Sequence, residues 1–347
     1  LSFGYLGTYV NRPVINRTAK VNSIDFEYRP SSIRRLSGAV LTSEVNGETG
    51  FGFNLGYGHD PSKNRHNGVG VYYFDEKLDI NDMGYLVRND WLMIGGRASV
   101  KQTDFSDGSI TRARQYEIGY SLKSNSNLDK EPSGLSFSAQ NSFTNTSEVK
   151  AEVFYRTTGK DHRITRKSAL SPYLNMPEGY GVEIEYRGPS DNFLQYGFEV
   201  DRRQGSRHSA ALGWQTSYQA NITVSPADTL SLSLFYKYDK ENDWLNWVQD
   251  NVLGTYQKKQ RTTTAGLQWF KGNKHELRVK AQMVAFTARD PKAYLGNLYG
   301  NLNPYNINLS PITLSELAFQ VRYRYELMPL AYLYVVYTKG GRIVADD

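Results

Sequence analysis

Residue types that commonly carry catalysis are sparse in this chain of 347 residues. Cysteine is absent, and the five histidines, which fall in loops or at strand ends, lack HExxH or any other spacing that puts two metal ligands on one face. They are His59, His66, His162, His208 and His275. A Gly-x-Ser-x-Gly nucleophile turn is also missing. We predict no catalytic residue, no metal and no cofactor. A Ser-His-Asp or Asp-His site assembled across strands stays an alternative, because local sequence does not show such a site.

Charged residues recur at a spacing of two, which puts them on one face of an extended strand. Four such groups are Asp25, Glu27 and Arg29; Glu183, Glu185 and Arg187; Glu199, Asp201 and Arg203; and Arg322, Arg324 and Glu326. Opposite charges on neighbouring strands can pair, so one interpretation is a structural ladder that stiffens a wall. The other is a polar pore, or a docking surface for a plug or a substrate. The mixed sign argues against a strongly ion-selective filter.

Two aromatic clusters occupy regions that we predict to be long loops. Trp244 and Trp247 have a spacing compatible with a short helix within 240–256, and Tyr294, Tyr299 and Tyr305 lie among asparagines. Aromatic faces next to amide side chains suit carbohydrate, through stacking and hydrogen bonds. The same composition also suits a loop that packs on itself over the mouth of the protein. Both interpretations remain open at this point.

The elements that must position these residues are strands, because apolar and polar residues alternate with a period of two in many segments. One segment runs Tyr180, Val182, Ile184, Tyr186, with Glu183 and Glu185 in between. A soluble sandwich or propeller would turn the apolar face into a core. A transmembrane barrel would turn it outward to lipid and keep the polar face around a wet lumen.

Strand length and aromatic placement favour the barrel. The alternating faces run for roughly 9–14 residues, as a tilted strand needs to cross a bilayer. Tyrosine and tryptophan cluster near the ends of these faces, as in an interfacial belt. The mean hydropathy of −0.57 excludes a helical membrane protein. The aromatic content of 13% argues against an intrinsically disordered chain, because such chains contain few aromatic residues.

Seventeen strand centres can be identified, and the connections between them alternate between tight turns and long loops. Long connections include 75–90, 158–179, 239–258 and 288–312. The centres are Tyr5, Phe26, Val40, Phe53, Val71, Ile94, Ile118, Phe137, Val153, Ile184, Phe198, Trp214, Leu234, Leu267, Ala281, Val321 and Tyr334. Alternation of this kind is typical of outer-membrane barrels, which have an even strand number. The sequence therefore predicts an all-β fold, a transmembrane antiparallel β-barrel of about 18 strands, as one domain over 1–347. At least one further strand is expected after residue 347.

Two segments resemble a known family. Residues 78–91 (LDINDMGYLVRNDW) have an acidic and Asn start, a Gly-aromatic pair, an Arg, then Asp and an aromatic, at Asp79, Asn81, Gly84, Tyr85, Arg88, Asp90 and Trp91. Residues 319–340 (FQVRYRYELMPLAYLYVVYTKG) resemble the penultimate hairpin of the same family. It is a poorly characterised family of bacterial outer-membrane barrels that follow a carbohydrate-binding family 9-like domain. The resemblance implies that this chain is the barrel portion, with the sugar-binding module upstream, and it brings no established reaction.

Three functions follow as hypotheses. The first is an outer-membrane barrel with a polar-lined channel or conduit, for carbohydrate or another polar substrate. The second is a structural barrel that anchors a periplasmic or surface domain or partner proteins, and the third is a barrel-embedded hydrolase. We expect the bacterial outer membrane as the location, with lipid and lipopolysaccharide as partners of a chain of net charge +6. Further expected partners are carbohydrate and an N-terminal domain or partner protein that plugs the lumen, but no nucleic acid.

Overall fold

The protein is built almost entirely of β-strands. The structure is a computed structural model, and it describes residues 1–82, 84–86, 88–165, 168–205 and 211–345. Seventeen long strands, three short ones and a single 3-10 turn make up the regular structure of these residues. None of the helical turns in the described ranges is long and apolar enough to cross a bilayer.

The long strands follow one another along the chain with few interruptions. Their bounds are Ser2–Arg12 (β1), Arg17–Ser31 (β2), Arg34–Val45 (β3), Glu48–Ser62 (β4), Arg65–Phe74 (β5), Trp91–Gln102 (β6), Thr111–Ser124 (β7), Lys130–Phe143 (β8), Glu148–Arg156 (β9), Gly179–Arg187 (β12), Leu194–Gln204 (β13), Trp214–Ala227 (β14), Leu230–Gln249 (β15), Val252–Lys271 (β16), His275–Gly296 (β17), Ile312–Met328 (β19) and Ala331–Ala345 (β20). The short strands β10 (Gly159–Asp161), β11 (Leu174–Met176) and β18 (Leu302–Pro304), and the 3-10 turn Pro13–Ile15, lie in connections.

Each long strand pairs antiparallel with the next long strand along the chain, from β1 to β20. The ladder passes from β9 to β12 and from β17 to β19, and it stays in chain order throughout. Every one of the seventeen strand centres expected from alternation falls inside a long strand, so the all-β antiparallel barrel fold is confirmed. The sheet counts eighteen strands because β18 adds to it beside β17. The strand expected after residue 347 stays a prediction.

The two faces of this wall have the polarity of a barrel in lipid. On β12, Val182 and Ile184 are 42% and 46% exposed, whereas Glu183 between them is only 7% exposed. The same inversion recurs on β13, where Phe198 is exposed and Asp201 is buried. Because apolar side chains in water cost roughly 25 cal/mol per Å², so large an apolar outer surface requires an apolar solvent. The polar face lines the lumen.

The apolar core of the described residues lies at the end of the barrel that carries the long connections. Leu174 and Met176 of β11 pack with Leu245 of β15 and Leu253 of β16, all at 5% exposure or less. Ile164, Leu212 and Leu302 surround this cluster. The connections therefore form a packed cap on the extended wall.

Two regions that were predicted to be long loops, 239–258 and 288–312, differ from the prediction in the structure. The region 239–258 is a continuous β-hairpin in which β15 and β16 extend to the turn at Asp250 and Asn251, and the expected short helix around Trp244 is wrong. Likewise β17 continues to Gly296, well into the region 288–312. Both extensions remain strands because segments of other connections bury them, and burial outweighs the local spacing signal.

Candidate functional site

One cluster of buried lumen charges lies on β12 and β13. The Arg203 Nε group donates to both carboxylate oxygens of Asp201, at 2.7 and 2.9 Å, and Arg203 Nη2 lies 3.4 Å from Glu183 Oε2. All three residues are 5–7% exposed. Buried charges of this kind are tolerated because each is paired and hydrogen-bonded. Asp201 is opposite Glu183 in the strand register, so Arg203 neutralises two neighbouring carboxylates.

The other expected lumen charges of β2, β12 and β13 lie on the same face but are more open. Glu185 Oε1 accepts from Arg187 Nε at 2.8 Å, and Glu27 Oε1 lies 2.6 Å from Arg29 Nε. Glu199 is half-buried two residues before Asp201, and Asp25 is exposed. Both ion pairs join residues two apart on one strand, and Arg187 adds a longer contact of 3.9 Å to Glu148 on the neighbouring β9.

Glu276 on β17 is the centre of a second charge cluster, and sequence reasoning missed it. Its carboxylate is 2% exposed and contacts Arg278, while Arg324 Nε lies 3.1 Å from Oε2 and Arg322 Nη2 4.0 Å from Oε1. The predicted Arg322 and Arg324 thus converge on one acid of the neighbouring strand. The signal was present, because Glu276 shares the alternation of Arg278. Glu326 is half-buried on the same face, and its backbone N–H donates to the Lys274 carbonyl oxygen at 2.8 Å.

Two of the predicted contact residues of the loops, Trp244 and Trp247, belong to the extended hairpin. The Trp244 ring lies 5.6 Å from Phe286, edge to face, and 5.9 Å from Tyr256, with Lys258 Nζ 5.3 Å from its centre. Trp247 Nε1 donates to the Asp250 carbonyl oxygen at 3.0 Å. The half-buried Trp244 ring is therefore engaged by its own surroundings.

The three predicted tyrosines differ in accessibility. Tyr294 is half-buried on β17, where it is opposite Leu253 and Pro304. Tyr299 is 75% exposed and Tyr305 is 40% exposed. Tyr299 is held at its backbone, where its carbonyl oxygen accepts from Asn175 Nδ2 at 2.8 Å. Tyr299 and Tyr305 are the aromatic faces of this group that a solute can reach.

The described residues of the connection 75–90 (75–82, 84–86 and 88–90), which we call the inward loop, fold back onto the lumen face of β2–β4. Leu78 is 1% exposed against Gly50 and Gly52 of β4, and a Cβ atom at either glycine would collide with it. The hydroxyl of Ser43 accepts from the Asp79 backbone N–H at 3.0 Å. Glycines on the inner wall thus provide the space that this loop occupies.

Ion pairs fasten the inward loop on its first side. Arg17 of β2 donates to Asp82 Oδ2 from Nε at 2.7 Å and to Asp79 Oδ2 from Nη2 at 2.8 Å. Arg12 adds an ion pair to Asp82 at 3.3 Å. Burial acts to raise the pKa of Asp79, but hydrogen bonds from Arg17 and Asn81 outweigh it and hold this pKa below the ordinary value. Asp79 is therefore a carboxylate throughout the neutral range.

The second side of the inward loop is tied to β8 and to the turn before it. Arg88 makes two hydrogen bonds to Glu131, and its guanidinium lies 5.5 Å from the centre of the Trp91 ring. Asp90, at a positive φ of 52°, accepts from the Ser126 hydroxyl at 2.5 Å. The motif residues that carried the family resemblance are thus largely the residues that hold this loop.

Two of the described histidines are paired through their Nδ1 atoms. Among the described histidines, His66 Nδ1 pairs with Asp60 at 3.0 Å and His275 Nδ1 with the Tyr323 hydroxyl at 2.5 Å, and neither has a serine hydroxyl as a partner. His208 lies outside the described residues. A cavity of about 890 Å³ lies beside the glycine-rich inner wall of β4–β6 and is lined by Arg34, Arg97 and other polar residues.

Comparison with known proteins identifies a family without an assigned activity. A family model described as a domain of unknown function (DUF5916) matches residues 2–342. No protein of curated function matches the chain. Among solved structures, the siderophore receptor PirA from Acinetobacter baumannii aligns with 99% of this chain and 68% of its own, at 10% sequence identity and a TM-score of 0.47.

Proposed function

We propose that this chain, which belongs to the family described as a domain of unknown function (DUF5916), is an outer-membrane barrel whose charged lumen conducts a polar solute. The observation that carries this proposal is the inversion of polarity across one wall. Val182 and Ile184 point outward and are exposed, whereas Glu183 is buried on the inner face with Arg203 and Asp201.

The apolar outward face supports the proposal that a lipid bilayer surrounds the barrel. Large exposed apolar residues recur on the long strands other than β16, and aliphatic and aromatic side chains alternate with the lumen residues. In a bacterial outer membrane these side chains would contact lipid, and the net charge of +6 would favour anionic lipopolysaccharide. Lipid and lipopolysaccharide are therefore the partners we propose for the outer surface.

The charged groups of the lumen favour a small polar solute over an apolar one. Guanidinium and carboxylate groups line it, and the inward loop narrows it on the side of β2–β4. The cavity of about 890 Å³ is large enough for a sugar-sized molecule. Carbohydrate is the solute class we propose first. Tyr299 and Tyr305 are the exposed rings that would stack against it, because Trp244 is already packed against Phe286.

A structural barrel is the second candidate, and the packed cap favours it. Leu174, Met176, Leu245 and Leu253 bring the connections together over one end of the wall, and the inward loop occupies part of the lumen. In this alternative the barrel would anchor an attached domain or a partner protein. The resemblance to barrels that follow a carbohydrate-binding family 9-like domain makes such a module the attached domain we propose. For neither candidate do we propose an enzymatic step.

Single-channel recording separates the two candidates. The protein folded in detergent is added to a planar bilayer in potassium chloride, with heat-unfolded protein as the control. A conduit gives stable ohmic current steps, and addition of a sugar that enters the lumen reduces them. A structural barrel inserts, as shown by protease protection in vesicles, but gives no steps. The absence of insertion itself would disprove the membrane location.

A further inference from the structure

Three cationic side chains that form no ion pair within the described part of the chain line one cavity beside the inner face of β6–β9 and β13. The cavity measures about 500 Å³, and Arg97, Lys123 and Arg156 are among its lining residues. None of the three makes an ion pair or a side-chain hydrogen bond with a described residue. Ser121, Ser133 and Ser136 add hydroxyl groups to the lining.

Of the three cations, Arg156 has buried guanidinium nitrogens that lack a hydrogen-bond acceptor in the described part of the chain. Its Nε and Nη2 atoms are buried, and no acceptor among the described residues satisfies them. In the strand register Arg156 lies opposite Gly134 on one side and Gly179 on the other. Its guanidinium also reaches the backbone of Gly205, where a Cβ atom would collide with Nη2. Glycines on three sides therefore leave room for the guanidinium without supplying an acceptor.

A buried guanidinium without an acceptor is unfavourable. A buried polar group that lacks its hydrogen bond destabilises the folded state, and a charged group does so more strongly. Lys123 lies opposite Glu131 in the strand register and is attracted by it, but Arg88, Arg163 and Arg156 repel it. An anion at this position would accept hydrogen bonds from Arg156 and reduce that repulsion.

Neighbouring carboxylates do not supply the missing charge, because most have another partner. Glu131 is bound by Arg88, and Glu152 accepts from Lys150 at 2.9 Å. Arg203, which also lines the cavity, is paired with Asp201. Asp161 attracts Arg156 only at longer range and without a hydrogen bond. Among the described lining residues, Glu117 is the one carboxylate without an ion pair, against three such cations.

We propose that this cavity binds the oxyanion group, a phosphate or a carboxylate, of a soluble solute that enters the lumen. The proposal narrows the solute of the proposed conduit to anionic molecules such as acidic or phosphorylated sugars, and to that extent it rests on the proposed function. Binding itself requires only the folded barrel. Arg156 and Lys123 provide the charge, and the serine hydroxyls provide further donors.

Calorimetric titration of the protein in a phospholipid-free detergent tests the proposal with three probes. Inorganic phosphate and glucuronate are expected to bind, and glucose, which lacks the anionic group, is expected to bind at least about tenfold more weakly. Equal affinity for glucose and glucuronate would overturn the proposal. So would binding of a phosphatidic acid doped into the micelles with no binding of inorganic phosphate, since that result indicates a lipid headgroup.

Two variants and one control locate the site. Arg156→Gln and Lys123→Gln should each weaken phosphate binding by about tenfold. Lys280→Gln, which removes the same charge from the lumen face of β17, should leave it unchanged. Without phosphate, Arg156→Gln should unfold in urea at the same or a higher concentration than the parent. A lower midpoint would show that Arg156 has a structural partner and would overturn the proposal. Phosphate binding without current steps would refute the conduit but not this site.

Discussion

Arg88 and Glu131 form a two-pronged ion pair between the inward loop and the barrel wall. Nη1 lies 2.7 Å from Oε2 and Nη2 lies 2.5 Å from Oε1, and the two side chains are only 14% and 7% exposed. A bidentate pair in a largely buried setting fixes geometry as well as charge. Together with Arg17 on the opposite side, this pair holds the loop across part of the lumen.

Removal of this pair should release one side of the inward loop. The double variant Arg88→Ala with Glu131→Ala avoids leaving either charge buried alone. We expect a larger unitary conductance in planar bilayers, with more frequent substates, because the loop then moves away from the lumen face. The control is Lys20→Ala with Glu44→Ala, which removes an exposed pair 3.2 Å apart on β2 and β3. An unchanged conductance in the Arg88 variant would mean that the loop does not restrict the path.

Acid should loosen the first side of the inward loop through Asp79. Its pKa is lowered by Arg17 and Asn81, so the folded state binds this proton less readily than the unfolded state. The stabilisation is then fully present above the ordinary pKa of 3.8 and is lost as the pH falls through the lowered value. The difference in urea midpoint between the parent and Asp79→Asn should therefore be constant above pH 5 and disappear towards pH 2. A difference that persists at pH 2 would contradict this origin.

Gly50 should be intolerant of a side chain because the inward loop lies directly on it. In Gly50→Ala the new Cβ atom collides with the backbone of Leu78, which cannot move without displacing the loop. We expect a loss of about 1–3 kcal/mol in the free energy of unfolding, as for other overpacked sites. Gly56→Ala is the matched control on the same strand, since the nearest atom to its Cβ is Ser37 Oγ at 3.8 Å. Equal effects at both glycines would argue against the packing explanation.

Glu276 should be the most sensitive acid of the second charge cluster. Glu276→Gln leaves Arg278, Arg322 and Arg324 without the carboxylate that they share. Because these arginines are partly exposed, we expect a loss of roughly 1–3 kcal/mol rather than the full cost of breaking a buried pair. The expected result is a lower urea midpoint, and the lumen should also become more anion-selective in reversal-potential measurements.

The matched control for Glu276 is Glu316→Gln on β19. Glu316 is 49% exposed at the side chain and lies 3.5 Å from an exposed Arg342. Such a pair contributes about 0–1 kcal/mol at most, so its variant should unfold close to the parent. If both variants unfold alike, the cluster around Glu276 is as weak as an exposed pair.

The strands and their two faces could be predicted from the sequence because alternation is a local property. Tyr180, Val182 and Ile184 indicate an apolar face without any knowledge of the neighbouring strand. Turn residues bound each segment, and all seventeen strands appear where this pattern places them. The charges of β12 and β13 lie on the inner face for the same reason.

Partners and loop positions were decided by the tertiary structure, since they depend on strand register and on what packs over each segment. Alternation placed Arg322 and Arg324 on one face, but only the pairing of β17 with β19 brings them to Glu276. A helix looked compatible with the spacing of Trp244 and Trp247, yet burial of Leu245 by other connections keeps this segment in the sheet. The inward course of 75–90 requires glycines on a wall distant in sequence, and no local pattern carries that information.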